Sequence, residues 1–422
     1  MGCKQLNNKR EELLSYGMNL DSNRTKRYYK AGLLDEINEP LISELQHFWK
    51  EHYGEAVDPS IHQAFYNLFG EKNLKLIPGA VMQRKIIPYF NDRRMDVAYR
   101  DKNLYDVLFK TDQSVKTIVK RTRGYYYDKN NEILERDKVV HYLISEGSEY
   151  IIKPSDSNDG LLIGKLTVSD SNLYLDDKIV DLDKIEEMYE YNFAIQEIIK
   201  QHENLAAPHP SSVNTLRMVT LRWKGKIHYL LTFARFGANN SVKDNAGAGG
   251  VCVGVTDNGE FLDFAIDANA YKYSKHPTTN YEFKNLPPIE NFDIFKEFVM
   301  NLHKQVIHHD YISWDIAVDK EAKPVFIEAN FAGATWLYQF ASKKALFGDL
   351  TEEILQTLGP INNPRERNIQ VRSAKNKLTK QNKKLKRKLR KSNQEIETLK
   401  KELKTIKNSK SWKYTSIFRK KK

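Results

Sequence analysis

SWDIAVDKEAKPVFIEANF, residues 313–331, sets two apolar runs on either side of a short polar turn. Strand side chains alternate faces, so Glu328 and Asn330 of the FIEAN segment point the same way. With a four-residue loop at Lys320–Lys323, SWDIAV and VFIEAN pair as an antiparallel hairpin. Asp315 then lies opposite Glu328, and Ser313 opposite Asn330. This register predicts one apolar face of Ile316, Val318, Val325 and Ile327. The other face collects Asp315, Glu328 and Asn330. Such hard oxygen donors suit Mg²⁺, which takes few protein ligands and completes its shell with water and phosphate oxygens. A slip of one residue would send Asp315 into the core. Without further support, a solvated polar sheet face accounts for the same three residues.

A magnesium site asks for phosphates. GLLIGKL at 160–166 fails as a phosphate-binding loop, because three residues rather than four separate its glycines and Leu166 follows the lysine. EYIIKPSDSNDG fits better. A strand delivers Lys153 into a loop whose Ser155, Ser157 and Gly160 offer backbone amides to an anion. Downstream, FAIQEII sets Gln196 beside Glu197, either of which suits an adenine amino group or a ribose hydroxyl. Arg217 and Arg235, on the predicted strands TLRMVTLRW and KIHYLLTFARF, present planar forks for a carboxylate or phosphate. NAGAGG at 245–250 reads as a loop closing over substrate, its glycines supplying flexibility with no lysine beside them. His303, His308 and His309 read as residues ending a helix rather than as a metal cluster.

Length and composition bound these readings. A chain of 422 residues with 40% hydrophobic residues and 23 tyrosines buries a sizeable core in two or three subdomains. No apolar run is long enough to span a bilayer. MGCKQLNNKREELL lacks the apolar segment of a signal peptide and reads as an ordinary start despite Gly2 and Cys3. Cys3 and Cys252, the only cysteines, argue against a disulfide framework and fit a cytoplasmic location. The segment before residue 100 reads as mostly helical. Beyond it, strands mix with helices such as DKIEEMYEYN and IFKEFVMNLHKQVI, which predicts an α+β fold.

The net charge of +12 hides two parts. From Arg365 to Lys422 there are 23 Lys/Arg against 4 Asp/Glu, or +19, so the rest of the chain carries −7. NNPRERN separates the parts as a linker. In the tail, Leu378, Leu385, Leu389, Ile396, Leu399, Leu403 and Ile406 follow steps of four and three, with Asn382 and Ser392 filling the seam. This heptad pattern predicts a coiled coil and self-association. SWKYTSIFRKKK then interleaves Trp412, Tyr414, Ile417 and Phe418 with basic residues, as an anionic membrane surface attracts. Nucleic acid is not the expected partner, since the tail carries no RNA-binding signature beyond charge.

The order of DKNLYDVLF, YIIKPSDSNDG, FAIQEII, TLRMVTL, ARFGANNSVKDNAGAGG and SWDIAV…FIEANF resembles the ATP-grasp enzymes. More narrowly, it resembles the sugar-transfer-associated ATP-grasp family, related to glutamate ligases, over roughly residues 101–335. By position, the resemblance implies that Lys102 and Lys153 hold ATP phosphates and that Gln196 and Glu197 sit at the adenine hinge, with Glu203 reaching the ribose. Asp315, Glu328 and Asn330 match the magnesium ligands. Arg217, Arg235 and Asn245 match positions facing the transferred phosphoryl group and the substrate carboxylate. It further implies a lid over 101–195 and a large subdomain with the Mg-ATP site over 196–362, while the heptads and charge of the tail themselves give a basic coiled coil and membrane-surface tail over 363–422. The helical segment 1–100 stands where most members open with a Rossmann-like subdomain, so the substrate rules of better-known members do not transfer.

The function implied is an ATP- and Mg²⁺-dependent carboxylate–amine ligase working through an acylphosphate. Its substrates would be small and sugar-linked or amino-acid-like, in cell-surface polysaccharide assembly at the inner face of the plasma membrane. Two rivals stay open: a phosphotransferase using the same site, whose product is a stable phosphorylated compound, and a non-catalytic ATP-binding scaffold.

Overall fold

Segments rich in β-branched and aromatic residues pair into two antiparallel sheets. The first has eight strands: β1 (Thr117–Thr122), β2 (Tyr125–Asp128), β3 (Ile133–Leu134), β4 (Glu149–Pro154), β5 (Gly164–Ser169), β6 (Asn172–Leu175), β7 (Lys178–Val180) and β8 (Phe193–Glu197). Their spatial order is β3-β2-β1-β8-β4-β5-β6-β7. The second has seven: β9 (Thr215–Trp223), β10 (Lys226–Phe236), β11 (Val251–Val255), β12 (Phe261–Asp267), β13 (Lys272–Tyr273), β14 (Tyr311–Val318) and β15 (Pro324–Asn330). Their order is β13-β12-β11-β10-β9-β14-β15. This computed structural model describes residues 3–156, 162–239, 249–333 and 335–359, and in the tail 381, 384–386, 388–389, 392–396 and 398–405.

EYIIKP, TLRMVTLRW and KIHYLLTFARF are strands residue for residue, while FAIQEII is extended only as far as Glu197. The β9–β10 hairpin turns through Lys224 and Gly225, both at positive φ (47° and 79°). That is the two-residue turn whose twist matches flanking strands.

Both faces of the seven-stranded sheet are covered. On one, Leu216, Met218, Phe236, Trp314 and Ile316 pack against Phe295, Val299 and Leu302 of the helix Phe292–Lys304. On the other, Val219, Leu221, Leu231, Phe233, Cys252 and Tyr311 share a core with the amino-terminal helices and the helices Thr335–Ser342 and Thr351–Leu358. The segment before residue 100 is helical as expected, and its apolar side chains form one core with the sheet. Its helix Glu39–Tyr53 starts where the Asn38 side chain accepts from the Leu41 amide at 2.9 Å and stops at Gly54 (φ 90°). Trp49 on that helix is fully buried, and truncating it to alanine would cost about 3–5 kcal/mol. The eight-stranded sheet keeps a separate core around Val119, Ile152, Leu166 and Ile195, closed by the helices Val139–Glu146 and Leu182–Tyr189.

The 313–331 hairpin has the expected pairs, Asp315 opposite Glu328 and Ser313 opposite Asn330. It reaches them by another route. Asp319 bonds back to Lys323, and Ala322 adopts the left-handed conformation (φ 59°), so the loop spans three residues rather than four. Val318 pairs with Pro324 and Ile316 with Phe326, one residue out of the expected register. A bulge at Ile327 then restores it. The apolar face is therefore corrected: Phe326 and Ala329 join Trp314, Ile316 and Val318 in the core, while Val325 and Ile327 are only half-buried.

The tail is a unit of its own from Asn362 onward, and its described residues are helical.

Candidate functional site

Three neighbouring strands turn from apolar to charged on the same face. Along β9 the side chains run Leu221, Val219, Arg217; along β10, Leu231, Phe233, Arg235; along β14, Tyr311, Ser313, Asp315. The apolar members carry the helical layer. Where those apolar members end, Arg217, Asp315 and Glu328 form one row across β9, β14 and β15.

Asp315, 3% exposed, is the centre of the row. Arg217 donates from Nη2 to Oδ2 at 3.0 Å, and its Nε forms an ion pair with Oδ1. Arg235 reaches Oδ2 from Nη1 at 2.9 Å. The Asn330 amide bridges the two carboxylates, 3.3 Å from Asp315 Oδ2 and 3.3 Å from Glu328 Oε1. Lys102, almost fully buried, places Nζ 3.4 Å from Glu328 Oε2. Burial alone would raise the Glu328 carboxyl, but Lys102, Lys153 and Arg217 outweigh it and hold it below the usual carboxylate range.

Lys102 is held from the small sheet. Its amide donates to the Ser155 carbonyl at 2.8 Å, and the next residue, Asn103, donates to the carbonyls of Arg121 and Phe193. Lys153, near the end of β4, pairs with Ala194 through its backbone, and its buried side chain has no hydrogen bond or ion pair among the described residues. Burial, then the charge of Lys102, lowers it to about 8, against the pull of Glu328 and Asp315. The Ser155 hydroxyl is fully buried without a partner among the described residues. A buried polar group of this kind is ordinarily satisfied, so it is a place for a ligand to bond.

Gln196 and Glu197 lie on β8. Gln196 donates from Nε2 to Thr117 Oγ1 at 2.9 Å, and Glu197 accepts from the Lys116 amide at 3.1 Å. Glu203 is exposed at the start of the helix Glu203–Ala206. The structure thus brings together Lys102, Lys153, Arg217, Arg235, Asp315, Glu328 and Asn330. Ser157, Gly160 and Asn245 lie outside the described residues, as does the linker around Asn362. His303 bonds Thr220 Oγ1 through Nδ1 at 2.7 Å, and burial lowers it to about 3.

Two supporting residues gave no signal in the sequence. Tyr338, on the helix Thr335–Ser342, accepts from Arg217 Nη1 at 2.9 Å and fixes that guanidinium. Buried Asn91 donates to the carbonyls of Tyr311 (2.8 Å) and Phe331 (2.9 Å) and accepts from the Tyr311 amide (3.0 Å). It ties the start of β14 to the end of β15 and so holds their register at the site. Neither residue belongs to a periodic pattern that would single it out.

Among the described residues no three histidine, cysteine or acidic side chains converge on a metal-sized gap. The set is two carboxylates and an amide.

Comparison with known proteins bears on the chain as a whole. The family described as sugar-transfer associated ATP-grasp matches residues 81–354. No curated protein matches. Solved structures that resemble the fold include the ATP-grasp ligase PsnB complexed with a minimal precursor, at 13% identity and TM-score 0.36, covering 64% of each chain. An L-amino acid ligase from Bacillus licheniformis matches at 14% identity and TM-score 0.33, over 62% of this chain and 47% of that one. A D-alanine-D-alanine ligase from Coxiella burnetii matches at 11% and 0.39, over 68% and 65%. The chain spans less than two thirds of the length of each.

Proposed function

The chain belongs to the sugar-transfer-associated ATP-grasp family, and we propose that it is an ATP- and Mg²⁺-dependent ligase joining a carboxylate to an amine through an acylphosphate. Its substrates on this reading are a sugar-linked or amino-acid component of cell-surface polysaccharide. One observation carries the proposal. Two carboxylates and an amide on β14 and β15 meet a pair of buried lysines, and the Lys153 ammonium has no bonding partner among the described residues.

The donor set fits the group. Asp315, Glu328 and the Asn330 oxygen are hard ligands for Mg²⁺, and two anionic ligands leave positions for phosphate oxygens. Lys102 and Lys153 supply charge to those phosphates. Ser155 bonds them, a role that Ser157 and Gly160 share on this reading, while Gln196, Glu197 and Glu203 take the nucleoside. Residues 101–195 act as the lid and 196–362 as the base. When bound, Mg-ATP supplies the phosphoryl group that converts an unreactive carboxylate into an acylphosphate.

The remaining work belongs to the chain's own residues. Arg217 and Arg235, already aimed at a carboxylate, stabilise negative charge on the transferring group and on the tetrahedral adduct that the amine forms. On this reading Asn245 shares that work. Burial of the site among the helical layer strengthens these interactions over those in water. The amine displaces phosphate, and the product is an amide.

Amine-dependent release of inorganic phosphate, screened over amino acids and sugar acids, tests this. A stable phosphorylated product formed without amine would replace the ligase with the phosphotransferase. Absence of any ATP turnover with every acid would leave the scaffold. The basic tail supports a cytoplasmic protein held at the inner membrane face, near lipid-linked substrate.

A further inference from the structure

In the tail, residues 384–386, 388–389, 392–396 and 398–405 are helical. Leu385, Leu389, Ile396, Leu399 and Leu403 all lie on these turns, and each is between 46% and 63% exposed. Five large aliphatic side chains along one seam, uncovered, require a partner that presents the same spacing. The charges beside the seam identify it.

We infer that the tail pairs with the tail of a second copy, parallel and in register. Counting Leu385 as a d position makes Leu389, Ile396 and Leu403 a positions. Glu395 and Glu402 then occupy g, and Lys400 and Lys407 occupy e. In a parallel pair each g residue meets the e residue five places on in the other helix. Glu395 meets Lys400 of the second copy, and Glu402 meets Lys407, twice each by symmetry. The remaining pairs, Lys388 with Asn393 and Gln381 with Lys386, are not repulsive. Two antiparallel alignments share eight seam positions each. One sets Glu395 against its own twin and Lys386 against Lys400. The other pairs Glu395 with Lys388 but sets Glu402 against Gln381 and Lys400 against Thr379, which gives half the ion pairs of the parallel form. Both set Asn382 against an aliphatic residue. Parallel pairing instead sets Asn382 against Asn382, where two amides can bond and specify two strands in one register. The seven basic residues from Lys383 to Lys391 repel one another in either arrangement, so the attraction lies mainly from Ser392 onward.

The inference stands independently of the ligase reading. It is tested on the full chain carrying Cys3→Ser and Ser392→Cys, since Ser392 is a d position that meets itself only in a parallel, in-register pair. The expected results are a mass twice the 49.2 kDa of the chain at micromolar concentration, and a disulfide-linked dimer on oxidation. Without the cysteine change, Lys400→Glu with Lys407→Glu should weaken dimerisation about tenfold or more, and adding Glu395→Lys and Glu402→Lys should restore it. A monomer at tens of micromolar, a trimer, a dimer that the Ser392→Cys substitution fails to link, or a charge-reversed chain that stays weak would each overturn the inference.

Discussion

Arg217 and Asp315 stand directly across from each other on β9 and β14, with Nη2 3.0 Å from Oδ2. Arg235 approaches the same oxygen at 2.9 Å. Both partners of this pair are almost out of water, so removing one leaves a charge whose desolvation is no longer offset. Asp315→Leu should lose about 3–5 kcal/mol in urea denaturation, and Arg217→Met a similar amount. The double variant should fall short of the sum by at least about 1 kcal/mol. Additive losses would mean that the two side chains do not support each other in the folded protein.

Glu328 meets Lys102 directly and Lys153 through its field. Glu328→Gln keeps the shape of the side chain and removes its charge, so Mg²⁺-dependent ATP turnover should drop about 10²-fold or more. The same change should lower the Lys153 pKa further, because the Glu328 carboxylate is one of two groups that raise it. Turnover that survives the substitution would remove Glu328 from the proposed metal set.

Lys153 titrates at about 8, below its ordinary 10.5. The unfolded chain therefore holds a proton between these values that the folded chain has released, and stability gains from this group as pH rises from about 8 to 10.5. Below pH 8 the buried ammonium costs the fold its full penalty. Lys153→Met should accordingly stabilise the nucleotide-free protein at pH 7 by about 1–3 kcal/mol, with the gain fading by pH 10.5. Phosphate binding has the opposite requirement, since it needs the ammonium. Nucleotide affinity should fall as pH rises through 8 in the parent protein and stay level in Lys153→Arg, measured by calorimetry. A pH-independent affinity in the parent would take Lys153 out of phosphate binding.

Removing residues from Arg365 onward should leave ATP turnover within about twofold and abolish sedimentation with vesicles containing anionic lipid. The basis is the tail's charge of +19, each lysine or arginine near such a surface contributing about 1 kcal/mol at moderate salt. Equal sedimentation of both forms would remove the membrane surface as the tail's partner.

The site was legible where chemistry follows strand alternation. Asp315, Glu328 and Asn330 announce themselves because carboxylates and amides interrupt apolar strands at a period of two. Lys153 does so because a strand carries it to the edge of a loop rich in small residues. Tyr338 and Asn91 were not legible, because their roles arise from contacts between segments more than a hundred residues apart in sequence. The sharing of one core by the amino-terminal helices and the large sheet was hidden for the same reason. Helical periodicity reveals that a helix has an apolar stripe, but not which surface the stripe meets.

The hairpin carries a last consequence. Twelve residues separate Asp315 from Glu328, and that number is even whether the extra residue sits in the loop or in the strand. A three-residue loop with a bulge at Ile327 and a four-residue loop without one give the same pairing. The facing of the two carboxylates is thus protected by parity. A single insertion at the tip destroys it, while an insertion matched by a deletion at Ile327 leaves both carboxylates facing each other. Natural length variation in this hairpin should therefore come in compensated pairs.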